Sequence, residues 1–80
     1  MDQKRRRFVL YAQNRLHPLG SKTANGLILF RQDEVQVIVD ASKAGQTAQD
    51  VLGYGGAIPI VAHISEALKF QPDTLAIGIA

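Results

Sequence analysis

The chain contains no cysteine, which excludes disulfides, thiolate nucleophiles and thiolate metal sites together. That absence fits a reducing compartment and predicts a cytoplasmic protein. No apolar run approaches the ~20 residues needed to cross a bilayer, so no membrane partner is expected. The basic start Lys4-Arg5-Arg6-Arg7 is followed only by the short apolar run Phe8-Val9-Leu10-Tyr11-Ala12, too brief to be the core of an export signal. Aromatic residues do not interleave with the basic ones. The formal net charge is +2, and positions 4 to 7 hold four of the nine basic residues, leaving five against seven acidic ones. A nucleic-acid face spreads its cations along one surface, so residues 1–7 read as a solvated leader and no nucleic-acid partner is expected. The two histidines, His17 and His63, lie far apart in sequence. No His/Asp/Glu group has metal-ligand spacing, no Ser/His/Asp arrangement is readable, and no residue stands out as a catalytic nucleophile. Internal repeats and low-complexity segments are also absent.

What the chain does contain is one domain's worth of sequence: 80 residues, 46% of them hydrophobic. That fraction is ordinary for a globular chain and too high for disorder. A domain this small buries a modest share of its surface, so support from a neighbouring domain or a second copy is expected. The apolar run at 8–12 predicts a buried strand, and residues 13–22, with Pro18 and Gly20, a loop. Two readings of residues 23–31 stand side by side. Asn25-Gly26 before Leu27-Ile28-Leu29-Phe30 fits a hairpin turn entering a strand. Ala24, Leu27, Ile28 and Arg31 fit helical spacing, with Ser21 as candidate N-cap and Gly26 costing about 1 kcal/mol relative to Ala. Val35 to Val39 is the clearest strand, preceded by the polar turn Asp33-Glu34. Residues 41–46 form a small-residue loop, 47–52 a short helix stopped by Gly53, and 54–57 a flexible connector. Ile58-Pro59-Ile60-Val61 predicts an edge strand, because proline cannot donate to the ladder. Residues 65–70 predict a short helix with Ala67 and Leu68 inward, with His63 as its cap. Residues 74–80, apolar without alternation, predict a strand buried on both faces.

Strands alternating with short helices imply parallel pairing through right-handed crossovers. The expected architecture is an α/β, half-Rossmann, three-layer domain over residues 8–80. Its sheet has four parallel strands in the order 3-2-1-4, with short helices on both faces.

In such sheets ligands bind beyond the carboxyl ends of the strands, where strand order reverses. Four segments end there. Gly20-Ser21-Lys22-Thr23 would offer helix N–H groups and one cation to an anion. It resembles the tail of a P-loop, but Arg15 stands where that motif needs its leading glycine. The plain alternative is a helix cap with an exposed lysine. Asp40, about 20 residues after Gly20, stands where dinucleotide-binding folds hold a ribose hydroxyl. No Gly-x-Gly-x-x-Gly follows the first strand, and an Asp capping the next turn accounts for it equally well. Ser42, Lys43, Gly45 and Thr47 offer donors and close backbone approach to phosphate or carboxylate, or simply a tight turn into the next helix. Gly78-Ile79-Ala80 is the end of the last strand and reaches the same edge. His17 would lie on this side too, placed to act as acid or base.

The stretches Ser21-Lys22-Thr23-Ala24-Asn25-Gly26, Val37-Ile38-Val39-Asp40, Ala44-Gly45-Gln46-Thr47, Ile58-Pro59-Ile60-Val61, Glu66-Ala67-Leu68 and Pro72-Asp73-Thr74-Leu75-Ala76-Ile77-Gly78-Ile79-Ala80 together resemble a known family. It is the N-terminal Rossmann-like domain of the D-glutamate N-acetyltransferase-like proteins, bacterial two-domain proteins long carried as a domain of unknown function. The resemblance covers roughly residues 8–80. It implies that Lys22-Thr23 opens a helix rather than a hairpin. It also implies that catalysis needs a C-terminal P-loop-type domain that this sequence does not include. The strand pattern is further similar in fold to the CoA-binding domain of succinyl-CoA synthetase, and function does not follow from fold.

Two functions of different class follow. One is a ligand-binding half of an enzyme, taking a nucleotide, CoA or acetyl-CoA, or another small anion at the strand ends. The other is a non-catalytic docking or oligomerisation scaffold. Its partner would be the missing domain or another copy, met through 58–61 or the apolar side of 23–31.

Overall fold

A computed structural model describes residues 6–12 and 22–77, with the backbone alone for 22–24. Four strands, β1 (Phe8–Tyr11), β2 (Val35–Val39), β3 (Ile60–Val61) and β4 (Thr74–Ile77), form one parallel sheet in the order β3-β2-β1-β4. Three helices, α1 (Lys22–Phe30), α2 (Ala48–Leu52) and α3 (Ile64–Ala67), make the crossovers. The α/β Rossmann-like architecture and its strand order are those that the sequence predicts.

β1 is central because it is apolar on both faces. Leu10 pairs with Ile38 of β2 and Ala76 of β4 on one side of the sheet, and Val9 stands with Val37 and Leu75 on the other. A register irregularity between Phe8 and Val9 turns Val35 to the face of Phe8, breaking the strict alternation of β2. The first face carries the larger core. Phe8, Leu10, Ile38 and Ile60 pack there under Ile28 of α1 and Ala48 and Leu52 of α2. The second face packs Val9, Val37 and Val39 under Ala67 of α3.

The disputed segment 23–31 is a helix, as Ile28 explains: it is fully buried against the sheet while Leu27 packs beside it. An isolated hairpin would leave that side chain in water. α2 is specified locally. Thr47 Oγ1 accepts from the Asp50 N–H, and the Thr47 N–H donates to Asp50 Oδ2, a reciprocal cap at 3.2 and 3.0 Å. Gly53, at φ +82°, ends the helix in the left-handed region. His63 occupies the N-cap position of α3, and its backbone N–H donates to Glu66 Oε1.

Two sequence expectations are corrected. Leu68 faces outward, because α3 is a single turn with Ala67 on the sheet, and the next residue is rotated about 100° away; the chain then tightens into a 3-10 turn, Leu68–Phe70. β4 is not buried on both faces: Leu75 and Ile77 are exposed while Thr74 and Ala76 are half-buried. β4 is an edge strand, and α3 lies over β2 and β3, leaving the β4 side of that face uncovered.

The two sheet edges differ. Beyond β3 the chain folds back along the strand. The Gly45 N–H donates to the Ile60 carbonyl, the Ile60 N–H donates to the Gln46 carbonyl, and Thr47 bridges to Pro59. Pro59 itself lies just before β3, whose two paired residues make it the shorter edge.

The first and last strands are clamped at their amino ends. The Arg7 N–H donates to Asp73 Oδ1, and the Asp73 N–H returns a bond to the Arg7 carbonyl. The Arg7 guanidinium donates to the carbonyls of Phe70 and Gln71. The Arg7 N–H and the Thr74 hydroxyl hold the Asp73 carboxyl below its ordinary value, with Arg6 and Arg7 adding attraction. A depressed carboxylate stabilises the fold above its ordinary value and loses that contribution as pH falls through the folded one. Melting temperature should therefore fall on acidification below about pH 5 more steeply in the native chain than in Asp73→Asn. Parallel acid limbs would remove this assignment.

Candidate functional site at the strand ends

The order reverses at β1, which has β2 on one side and β4 on the other. The carboxyl edge there is built from the segments that leave each strand. After β1, the Ala12 N–H still donates to the Val39 carbonyl, extending the ladder one step. Residues 13–21 lie outside the described part, and with them His17, Gly20 and the candidate cap Ser21. α1 then opens at Lys22-Thr23.

After β2, Asp40 is the one buried charged residue among those described. Its backbone N–H donates to the Val61 carbonyl. Its carboxylate caps the 3-10 turn Ala41–Lys43: the Ser42 N–H and Ser42 hydroxyl both donate to Oδ1, at 3.0 and 2.7 Å. A buried carboxylate requires such partners, because an unpaired one costs several kcal/mol of desolvation. The turn places half-buried Lys43 at the carboxyl edge of β2.

The structure thus shows what each candidate already does. Asp40 and Ser42 bond each other. Gly45, at φ +91°, gives its N–H to the outer edge of β3. The Thr47 hydroxyl caps α2. Lys22, Thr23 and Lys43 stand at the ends of elements that reach the same rim. Gly78, Ile79 and Ala80 lie outside the described part. His63 also reaches this rim, exposed at the start of α3. Among the described residues no group of three or more His, Asp or Glu could hold a metal ion. No helix among them is long and apolar enough to cross a membrane.

A second concavity lies elsewhere and is not legible in the sequence. A cleft of about 300 Å³ runs between α3 and β4, lined by Val9, Ile64, Leu68 and Leu75, with Asp73 and Thr74 at its amino end. It is mainly apolar and lies toward the amino end of β4, away from the reversal point. The signal that could have found it is the edge position of β4: an edge strand with large apolar residues at alternate positions must expose one set unless a helix covers it.

Comparison with family models and with curated proteins gives no match. Among solved structures, a crystal structure of a DUF1611 family protein from Anabaena variabilis is similar with a TM-score of 0.85 at 26% identity, over 95% of this chain. This chain spans 22% of that one.

Proposed function

We propose that this chain is the N-terminal Rossmann-like domain of a D-glutamate N-acetyltransferase-like enzyme. In this reading it binds a nucleotide, CoA or another small anionic ligand at the carboxyl ends of its strands. The observation that carries the reading is the reversal of strand order at β1, with α1 opening on the carboxyl side of that point. An α/β sheet presents its ligand crevice there. The likeness to a DUF1611 protein, itself much longer, supports the domain assignment.

The roles divide by charge and geometry. The opening of α1 at Lys22-Thr23 offers backbone N–H groups to the anion, and the sequence adds the charge of Lys22 beside them. Lys43 supplies a second cation from the carboxyl end of β2, on a turn that Asp40 and Ser42 hold in place. Gly45 and Thr47 fix the backbone beyond that turn. Catalysis belongs to the complete enzyme, and acetyl-CoA or a nucleotide is the cofactor class to test first.

A thermal-shift titration against CoA, acetyl-CoA, ATP, NAD and D-glutamate tests this directly. A ligand specific for the folded state adds about 2.7 kcal/mol at one hundred times its dissociation constant. One ligand should raise the melting temperature, and Lys22→Ala and Lys43→Ala should each weaken it about tenfold, the loss of one charge-assisted hydrogen bond. Unchanged affinity in both variants removes the site assignment. No shift with any ligand removes the binding reading and favours the scaffold reading, which the uncovered face of β4 independently supports.

A further inference from the structure

In a sheet of this order the group at the end of β2 selects what the ligand carries on its ribose. An acid there accepts a hydrogen bond from a free ribose hydroxyl, whereas a cation nearby takes a phosphate ester in that hydroxyl's place. Asp40 stands at that position but is fully buried, with 0% of its surface exposed. Its Oδ1 already accepts from the Ser42 hydroxyl at 2.7 Å and from the Ser42 N–H at 3.0 Å. A ligand hydroxyl therefore has no access to this carboxylate unless the turn Ala41–Lys43 opens.

The backbone of the same loop is equally committed. The Lys43 N–H donates to the Asp40 carbonyl, that of Ala44 to Ala41, that of Gly45 to Ile60 and that of Gln46 to Lys43. With the Ser42 N–H on Asp40, every N–H from Ser42 to Gln46 is spent inside the fold. A phosphate cradle needs successive free N–H groups, and this loop offers none. What remains is the Lys43 side chain. It is half-buried at the carboxyl edge of β2 and pairs with no carboxylate among the described residues.

We propose that the strand-end crevice selects a nucleotide carrying a phosphate ester on its ribose, and that Lys43 is the residue that recognises the ester. The proposal rests on the reading of that crevice as an anion site and narrows it. A nucleotide with a free ribose diol finds no reachable acceptor at β2. The topology sets the position. β1 and β2 are neighbours, about 4.8 Å apart. A pyrophosphate held at the opening of α1, beyond β1, thus puts its adjoining ribose over the end of β2. There the ester meets an ammonium, and a charge-assisted bond of this kind is about twice as strong as a neutral one. The 2′-phosphate of NADP and the 3′-phosphate of CoA share this chemistry.

Isothermal titration of the whole chain with two matched pairs, CoA against 3′-dephospho-CoA and NADP against NAD, reads the proposal and separates the two sources. In at least one pair the phosphorylated member should bind about tenfold more tightly or better, the effect of one charge-assisted hydrogen bond. The pair that discriminates identifies the position of the ester. Lys43→Ala should erase the difference by weakening the phosphorylated member alone, with unchanged far-ultraviolet circular dichroism, and Lys43→Arg should keep it. Lys22→Ala should weaken both members alike. Equal affinity within both pairs overturns the inference and leaves the crevice a general anion site. Discrimination that survives Lys43→Ala overturns it too, by placing the phosphate elsewhere. Affinity for none of the four overturns the strand-end reading itself, and this inference with it.

Discussion

Gly55→Ala is expected to lower the unfolding free energy by about 3–5 kcal/mol, enough to leave a domain of this size partly unfolded at room temperature. Gly55 is buried at φ +98°, in the connector after α2. A Cβ there would stand 2.7 Å from the Cβ of Ala48 and 2.7 Å from Cγ2 of Ile28. Both neighbours are fully buried in the larger core, so neither can move into solvent. The left-handed backbone adds its own cost of about 1–2 kcal/mol. Gly53→Ala separates the two contributions. Gly53 has φ +82°, but a Cβ there would meet nothing within 4 Å, so only the backbone cost of about 1 kcal/mol applies. Urea denaturation should show Gly55→Ala far below Gly53→Ala in midpoint. Equal midpoints would mean that α1 and α2 separate easily, contrary to the packing described.

The second large effect is at Leu10. It is fully buried at the middle of the central strand, between Ile38 and Ala76. Leu10→Ala removes its transfer free energy and leaves a cavity that strands on both sides prevent from closing. The expected loss is about 2–5 kcal/mol. The midpoint in urea should fall with an unchanged slope, since the same surface is exposed on unfolding. Leu29→Ala, at an exposed position of α1, should change stability by no more than about 0.5 kcal/mol. A small effect at Leu10 would show that the larger core does not rest on β1.

These contrasts mark which parts of the fold are legible in the residues. β2 is an uninterrupted β-branched stretch apart from Gln36, and no other element accommodates Val37-Ile38-Val39. The cap and stop of α2 are written locally, in Thr47, Asp50 and Gly53. The strand order follows from short crossovers between parallel strands. Exposure within β4 is not local. Leu75 and Ala76 are both apolar, and only the reach of α1 and α3 over the sheet determines which is covered. The inward placement of Leu68 fails for the same reason: a one-turn helix has too few residues for its period to be read.

The candidate site is legible to a different degree. Its location follows from topology, and topology follows from the order of elements. The employment of its side chains does not. Asp40 reads equally as a ribose acceptor or a turn cap, and only its burial beside Ser42 shows that it caps the turn. In sequence the Gly45 backbone stands open to a ligand, yet its N–H is bonded to β3 through a contact fifteen residues distant.

The position of β1 also governs how the chain reaches this state. The strand in the middle of the sheet is the first to be synthesised, and its β4 neighbour is the last. Phe8 pairs with Thr74, and the clamp between Arg7 and Asp73 closes a separation of 66 residues. Such long closures are costly before they are rewarded, so contacts of this range slow folding. While the intervening chain is made, one side of β1 has no partner, and an unpaired apolar strand is the species most prone to join another chain. The strand that anchors the sheet is thus secured on both sides only once β4 has been made.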